Sequence, residues 1–460
     1  MAKKPNLTRG LAQKARAVRI SPARKMKGRM LLALYKLMMQ ASTPLLDAYL
    51  QKRLRAGKED AARTHERRGR PLLARPAGAL LWFHAASVGE SLSLLALVVR
   101  VRRDYPQAAV MVTTGTVTSA ALMASRLPDG AFHQYIPVDH PKWVASFLDH
   151  WKPDAAFWAE SELWPNMLSA LRARGIPAVL LNARMSQESF LRWRYARGTI
   201  GQMLGAFGLC LAQNAAEAAR LGALGAGDVR VSANLKYAAL PLPCDESALA
   251  ALRGDAGGRP LLLWASTHAG EEERAFALHK KLAAAHAGLV SVIVPRHPAR
   301  AAEIMAAAAV AGVAVAQRSA GAKIPAEGIY LADTMGELGL FYRLCPLVVM
   351  GGTFADIGGH NPIEPAQYGC TVFWGPVGYN FLTVLEDFRS AQALVEVADE
   401  EALAQAVLGA LTNPAEYKIF GDNAARMTAE KSGVLDGIMQ DIKPVLDVAV
   451  QAVVTERKAS

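Results

Sequence analysis

The chain has 460 residues, enough for two domains of ordinary size, and its 52% hydrophobic content supplies substantial cores. Its formal net charge of +12 is gathered at one end: residues 1–70 hold 19 Lys/Arg against 4 Asp/Glu, and the remainder holds 33 against 36. Its four cysteines, Cys210, Cys244, Cys345 and Cys370, lack C-x-x-C spacing, which excludes a disulfide framework or cysteine zinc site and fits reduced residues of a cytosolic compartment.

Basic arms bind nucleic acid or anionic lipid, and the segment adjoining this arm favours lipid. Residues 30–46, "MLLALYKLMMQASTPLL", are almost wholly apolar and lie between "RKMKGR" and "QKRLR". The run is shorter than the roughly 20 residues of a spanning helix, holds Lys36 and Pro44, and has no signal-peptide cleavage site. Residues 1–56 are therefore expected to form a basic arm and a membrane-anchor helix. That helix would lie on an anionic surface, with no nucleic-acid partner. Residues 57–78, Arg-rich and closing on Pro and Gly, read as a short solvated helix and linker.

Apolar runs then alternate with helical patterns. Strands are expected at Leu80–Ala86, Val110–Thr114, Ala155–Ala159, Ala178–Asn182, Leu209–Ala212 and Val229–Val231. Residues 238–260 interrupt with prolines and glycines, after which "LLLWAS", "SVIVP", "VAVAQ", "IYLAD", "PLVVMGG" and "CTVFWG" resume the alternation. This predicts an α/β protein with two Rossmann-like domains facing a cleft, spanning 57–238 and 239–430, and a C-terminal helix over 431–460. Ligands of such sheets sit beyond the carboxyl ends of the strands.

Those places carry "HAASVGE" (84–90), "ESELWPN" (160–166), "NARMS" (182–186) and "ANLKY" (233–237) in the first half. The second half has "STHAGEEE" (266–273), "PRHPAR" (295–300), "DTMGEL" (333–338) and "GGTFADIGGHNPIEPA" (351–366). In the last, glycines admit a ligand to the backbone and Asn361, Pro362, Ile363 and Glu364 enter a helix. Its N–H groups suit an anion, and Glu364 suits ribose hydroxyls. Pro295 fixes Arg296 to meet a phosphate or carboxylate. "DTMGEL" reads as a helix start capped by Asp333 or Thr334, with Glu337 at the third position; Met335 and Gly336 are placed to meet a nucleobase through backbone groups. No P-loop, no G-x-G-x-x-G after the first strand and no D-x-D occur, and the histidines lack metal-ligand spacing. A mechanism without metal or cofactor is expected.

In order and spacing, "HAASVGE", "ESELWPN", "NARMS", "NLKY", "PRHP", "MGEL" and "GGHNPIEPA" resemble the 3-deoxy-D-manno-octulosonic acid (Kdo) transferases of lipopolysaccharide synthesis, across roughly residues 30–425. The resemblance implies the two-Rossmann GT-B architecture and anchoring at the cytoplasmic side of the inner membrane. It also implies inverting transfer of Kdo from CMP-Kdo to a lipid A precursor, lipid IVA. Glu90 is then the general base, at a helix start whose dipole is expected to hold it ionised. CMP falls to Pro295, Arg296, Met335, Gly336, Glu337, Asn361, Pro362, Ile363 and Glu364. Lys236 or Arg184 would meet the Kdo carboxylate, Glu160 or Glu162 would orient the acceptor, and His268 is a further candidate contact. Two rival readings remain: another GT-B nucleotide-sugar transferase or epimerase, and a non-catalytic nucleotide-binding protein of the membrane surface.

Overall fold

The computed structural model describes residues 21–459, with side chains as far as residue 451; the first 20 residues of the basic arm lie outside the described residues. The chain divides into two compact units. The first runs to Ala239 and resumes at Gly433, and the second spans Leu240–Ser432.

The first unit is built on β1 (Leu80–His84), β2 (Ala109–Thr114), β3 (Ala131–Tyr135), β4 (Ala155–Ala159), β5 (Ala178–Ala183), β6 (Leu209–Ala212) and β7 (Val229–Val231). They form one parallel sheet in the order β3-β2-β1-β4-β5-β6-β7. β1, "LLWFH", is buried at every residue, because a parallel sheet carries helices on both faces and needs no polar alternation. Beneath it Trp82 meets Trp158 edge-on and Phe147 at a tilt, each with ring centroids 5.1 Å apart. Such aromatics contribute roughly 1.5–3 kcal/mol each on burial.

The second unit repeats the plan with β8 (Leu261–Thr267), β9 (Val290–Pro295), β10 (Val315–Gln317), β11 (Gly328–Leu331), β12 (Leu347–Met350), β13 (Thr371–Trp374) and β14 (Val395–Glu396). Its parallel order is β10-β11-β9-β8-β12-β13-β14, over a core that includes Trp264, Phe276, Ile293 and Phe373. The terminal helix, Val434–Ala459, returns to the first unit. There Asp441 pairs with Arg230 at 2.7 Å, and Asp447 accepts the Tyr105 hydroxyl at 2.6 Å.

Two stretches depart from the sequence reading. Residues 57–70 are not the solvated helix expected, whereas 71–78 form no helix or strand and are partly or fully exposed, as a linker would be. The turns Ala61–Arg63 and Glu66–Arg68 cover edge strand β3, which the apolar pattern had hidden behind His133 and Gln134. The unpaired edge explains the packing: Glu66 accepts the Tyr135 N–H at 2.8 Å and Arg63 donates to the His133 carbonyl at 3.0 Å. The apolar run 30–46 is likewise two helices, α1 (Pro22–Ala41) and α2 (Thr43–Arg55), broken at Ser42 just before Pro44. Among the described residues no helix is long and apolar enough to cross a membrane.

Candidate functional site

In the first unit the chain leaves β1 through Ala85 and Ala86 and enters α3 (Val88–Asp104), with Ser87 as N-cap. Glu90 stands at the third helical position, closing a Ser-x-x-Glu box. The Ser87 Oγ accepts the Glu90 N–H at 3.3 Å, while Glu90 Oε1 accepts the Ser87 hydroxyl at 3.0 Å and Oε2 the Ala86 N–H at 2.8 Å. The helix start does not hold this carboxyl ionised well below neutrality, as its position alone suggests. Burial first, then the charge of Glu160, raise its pKa to about 7 against the Ala86 and Ser87 hydrogen bonds, with Glu162 adding in the same sense. A carboxylate that titrates there is matched to base catalysis at ordinary pH.

Glu160 follows β4 in the left-handed region, at φ 55°, and Asn182 near the end of β5 does so at φ 51°. Both are positions that a non-glycine residue holds only under constraint. Asn182 supplies it. Its amide donates to Glu160 Oε1 at 3.4 Å, its Oδ1 accepts the Leu235 N–H at 3.0 Å, and its carbonyl accepts from Gln213. Lys236, in the turn Leu235–Ala238, then lies 3.6 Å from Glu160 Oε1. The first unit thus gathers Glu160, Asn182 and Lys236 in direct contact, with Glu90 in their field. Glu162 turns aside to accept the Trp164 indole at 2.6 Å. Arg184, partly exposed beyond β5, has no carboxylate partner among the described residues.

The second unit collects histidines. Ser266, the penultimate residue of β8, sits at φ 61°, and Gly351, after β12, lies so near the Ser266 carbonyl that a Cβ would overlap it. The two loops are stapled by Glu271, fully buried, which accepts the N–H groups of His268 at 2.9 Å, Gly352 at 2.8 Å and Phe354 at 3.1 Å. His268 and His360 share a 2.8 Å Nε2–Nε2 contact with nearly parallel rings, and His297 packs edge-on to His268. Burial, then the nearby His268, Arg296 and His297, lower the His360 pKa to about 3, so one partner of the pair stays neutral. Arg296 follows β9, its N–H donating to the Thr267 carbonyl at 2.9 Å. Its guanidinium has no acidic partner among the described residues.

The remaining donor candidates are dispersed over two loops of this unit. Asn361 accepts the Ile363 N–H at 3.2 Å and donates to Glu364 at 3.3 Å, ordering the short helix Ile363–Ala366, with Pro362 and Ile363 buried. Met335 is 78% exposed. "DTMGEL" is not the capping box expected: its helix starts only at Leu338, with Glu337 at the N-cap, because Gly336 sits at φ 83°. Asp333 instead accepts from Ser319 and Gln317, and Glu337 pairs with Arg318 at 2.5 Å, a partner no local motif announced. Among the described residues no group of three or more His, Cys, Asp or Glu is arranged to hold a metal ion.

A family model described as 3-deoxy-D-manno-octulosonic-acid transferase (kdotransferase) matches residues 62–239. A probable 3-deoxy-D-manno-octulosonic acid transferase, mitochondrial, of Arabidopsis thaliana is 33% identical over 393 residues, 83% of this chain and 88% of that protein. The chain belongs to the Kdo transferase family. The 3-deoxy-D-manno-octulosonic acid transferase of Bordetella pertussis is 32% identical over 414 residues, covering 87% of this chain and 96% of its own. Among solved structures, UDP-GlcNAc 2-epimerase from Neisseria meningitidis bound to UDP-GlcNAc matches with a TM-score of 0.52 at 10% identity. The match covers 80% of this chain and 100% of that one. That likeness concerns the fold alone, two Rossmann-like units of the GT-B type. As a Kdo transferase the chain is a glycosyltransferase of lipopolysaccharide biosynthesis.

Proposed function

We propose that this Kdo transferase uses CMP-Kdo as donor and a lipid A precursor, lipid IVA, as acceptor, with inversion at the anomeric carbon. The observation that carries the reading is the carboxyl of Glu90, raised to about 7 among small residues at the end of β1. Its two oxygens accept one hydrogen bond each and keep acceptor capacity for a third group. Glu90 takes the proton of the acceptor hydroxyl as its oxygen bonds to the anomeric carbon. The bond from that carbon to the phosphate oxygen breaks, and CMP leaves with the electron pair.

The second unit holds CMP. Arg296 faces its single phosphate, Asn361 to Glu364 the ribose, and Pro295 with the loop Met335–Glu337 the base. Arg184 and Lys236 answer the Kdo carboxylate, and Glu160 and Glu162 orient the acceptor. No metal or cofactor enters this scheme. α1 and α2 attach the protein peripherally to the anionic cytoplasmic face of the inner membrane. Support comes from Met30, Leu37 and Leu45, each more than 60% exposed beside a basic arm.

The test supplies the purified chain with CMP-Kdo and lipid IVA. The expected result is a product lipid heavier by Kdo, with CMP released and the new glycosidic bond inverted relative to the donor. Transfer from a nucleoside-diphosphate sugar, or epimerisation of one, in place of this product would overturn it, and retained configuration would remove the single-displacement scheme.

A further inference from the structure

Away from the strand-end loops, the first unit bears a half-open cavity of about 670 Å³ between α1 and the helices Pro165–Ala173 and Arg197–Leu204, with Lys25, Arg29 and Arg172 exposed at its edge. Close helix contact frames it. Gly28 of α1 lies against Gly198, and a Cβ on either would run into backbone of the other helix. Beside this crossing, Gly201 and Gly205 line the wall without side chains, and the space they leave is edged by Lys25, Arg29 and Arg172. Lys25 and Arg29 are one turn apart, so both sit on one side of α1. Nearby Arg174 is paired with Asp149 at 2.8 Å, whereas none of the three lining cations has an ion pair among the described residues. Three unpaired cations around one concavity call for an anion.

The surroundings select which kind. Met26, Met30, Leu34, Leu37 and Met38 of the same helix are each more than half exposed. Their spacing makes them a stripe along α1 next to the cationic side. A soluble anion has no use for that stripe, but a phospholipid has: its phosphate and its chains need a charged and an apolar surface side by side. We propose that this cavity binds the phosphate headgroup of an anionic membrane phospholipid, with Lys25, Arg29 and Arg172 as its counter-charges. The proposal rests on the peripheral attachment put forward above and adds a defined headgroup site to it.

The experiment measures partition of the full chain onto phosphatidylcholine vesicles with and without phosphatidylglycerol. It compares two charge-matched pairs: Arg29→Gln with Arg172→Gln in the cavity, and Lys27→Gln with Lys36→Gln on α1 outside it. The cavity pair should weaken partition onto phosphatidylglycerol vesicles on the order of tenfold, several times more than the outside pair, at unchanged melting temperature. Equal losses in the two pairs would mean diffuse attraction and overturn the site while leaving peripheral attachment standing. A wild-type chain that ignores both vesicle types would overturn attachment and the site together. Displacement of the chain by excess inorganic phosphate, with no effect of phosphatidylglycerol content, would assign the cavity to a soluble anion and overturn the lipid.

Discussion

Glu90 and Glu271 stand in the corresponding helix starts of the two units, Glu90 at the third helical residue and Glu271 at the first. Each follows a glycine in the first turn of the helix that leaves a central strand, β1 between β2 and β4, or β8 between β9 and β12. Their uses are opposite. Glu271 is fully buried and spends its oxygens on three backbone N–H groups from its own turn and from the loop after β12. Glu90 accepts one N–H and one hydroxyl, both local, and shares its surroundings with Glu160. A carboxylate saturated by backbone donors is a staple. One left with acceptor capacity beside like charges is available for proton transfer.

The largest effect should come from Glu90→Gln. Single-turnover Kdo transfer should fall about 10²–10⁴-fold while the amide oxygen still accepts the Ala86 N–H. The melting temperature should barely move, since a charge at a helix start contributes only about 0.3–1 kcal/mol. A rate within a few-fold of wild type would end the contrast, moving the search for a base to Glu160 and Glu162.

Glu271→Ala should give the mirror image. Three buried N–H groups lose their acceptor at roughly 1–3 kcal/mol each, so denaturant unfolding of the second unit should shift by several kcal/mol. A stable variant with lost CMP binding would instead make Glu271 a ligand contact.

Arg296→Ala and Glu364→Ala should each weaken CMP binding in calorimetry by about 10-fold or more, the worth of a hydrogen bond to a charged group, with the fold intact. Wild-type affinity in both would place the nucleotide elsewhere.

The smallest effect is in pH. Only the deprotonated Glu90 accepts a proton, and its carboxyl is raised to about 7, so the transfer rate should climb as pH rises through that value. Glu160→Gln removes the like charge that helps raise it, and the midpoint should move to lower pH. An unmoved midpoint would assign the titration to another group.

The apolar runs made most of this architecture readable. Strands such as "LLWFH" and "SVIVP" are buried on both faces, and no other use of so many short apolar segments suits a chain of this length. β3 escaped because His133 and Gln134 are buried yet polar: Thr114 and Arg63 from neighbouring elements bond the His133 ring, and the Gln134 amide donates to the adjacent Tyr135 carbonyl. β14 escaped because it has two residues. Within the site, Glu90 was legible from small neighbours and a helix start. The Glu160–Asn182–Lys236 contact joins three strand ends, and the His268–His360 pair spans 92 positions, so no local window contains either. Glu271 does carry a local signal: the Gly-Glu step of "HAASVGE" recurs in "STHAGEEE", at the equivalent strand in the other half.

The return of the helix Val434–Ala459 to the first unit makes the second an insertion within the first. Arg100 meets Asp436 across 336 positions, and Tyr105 meets Asp447 across 342. On the ribosome, Leu240–Ser432 is complete before that helix exists. The second unit can therefore close its core early, while the first waits with Arg100, Tyr105 and Arg230 lacking their partners until Asp436, Asp441 and Asp447 emerge. Chains released before residue 433 would carry a finished second unit and a first unit without its closing helix, leaving apolar surface that favours aggregation.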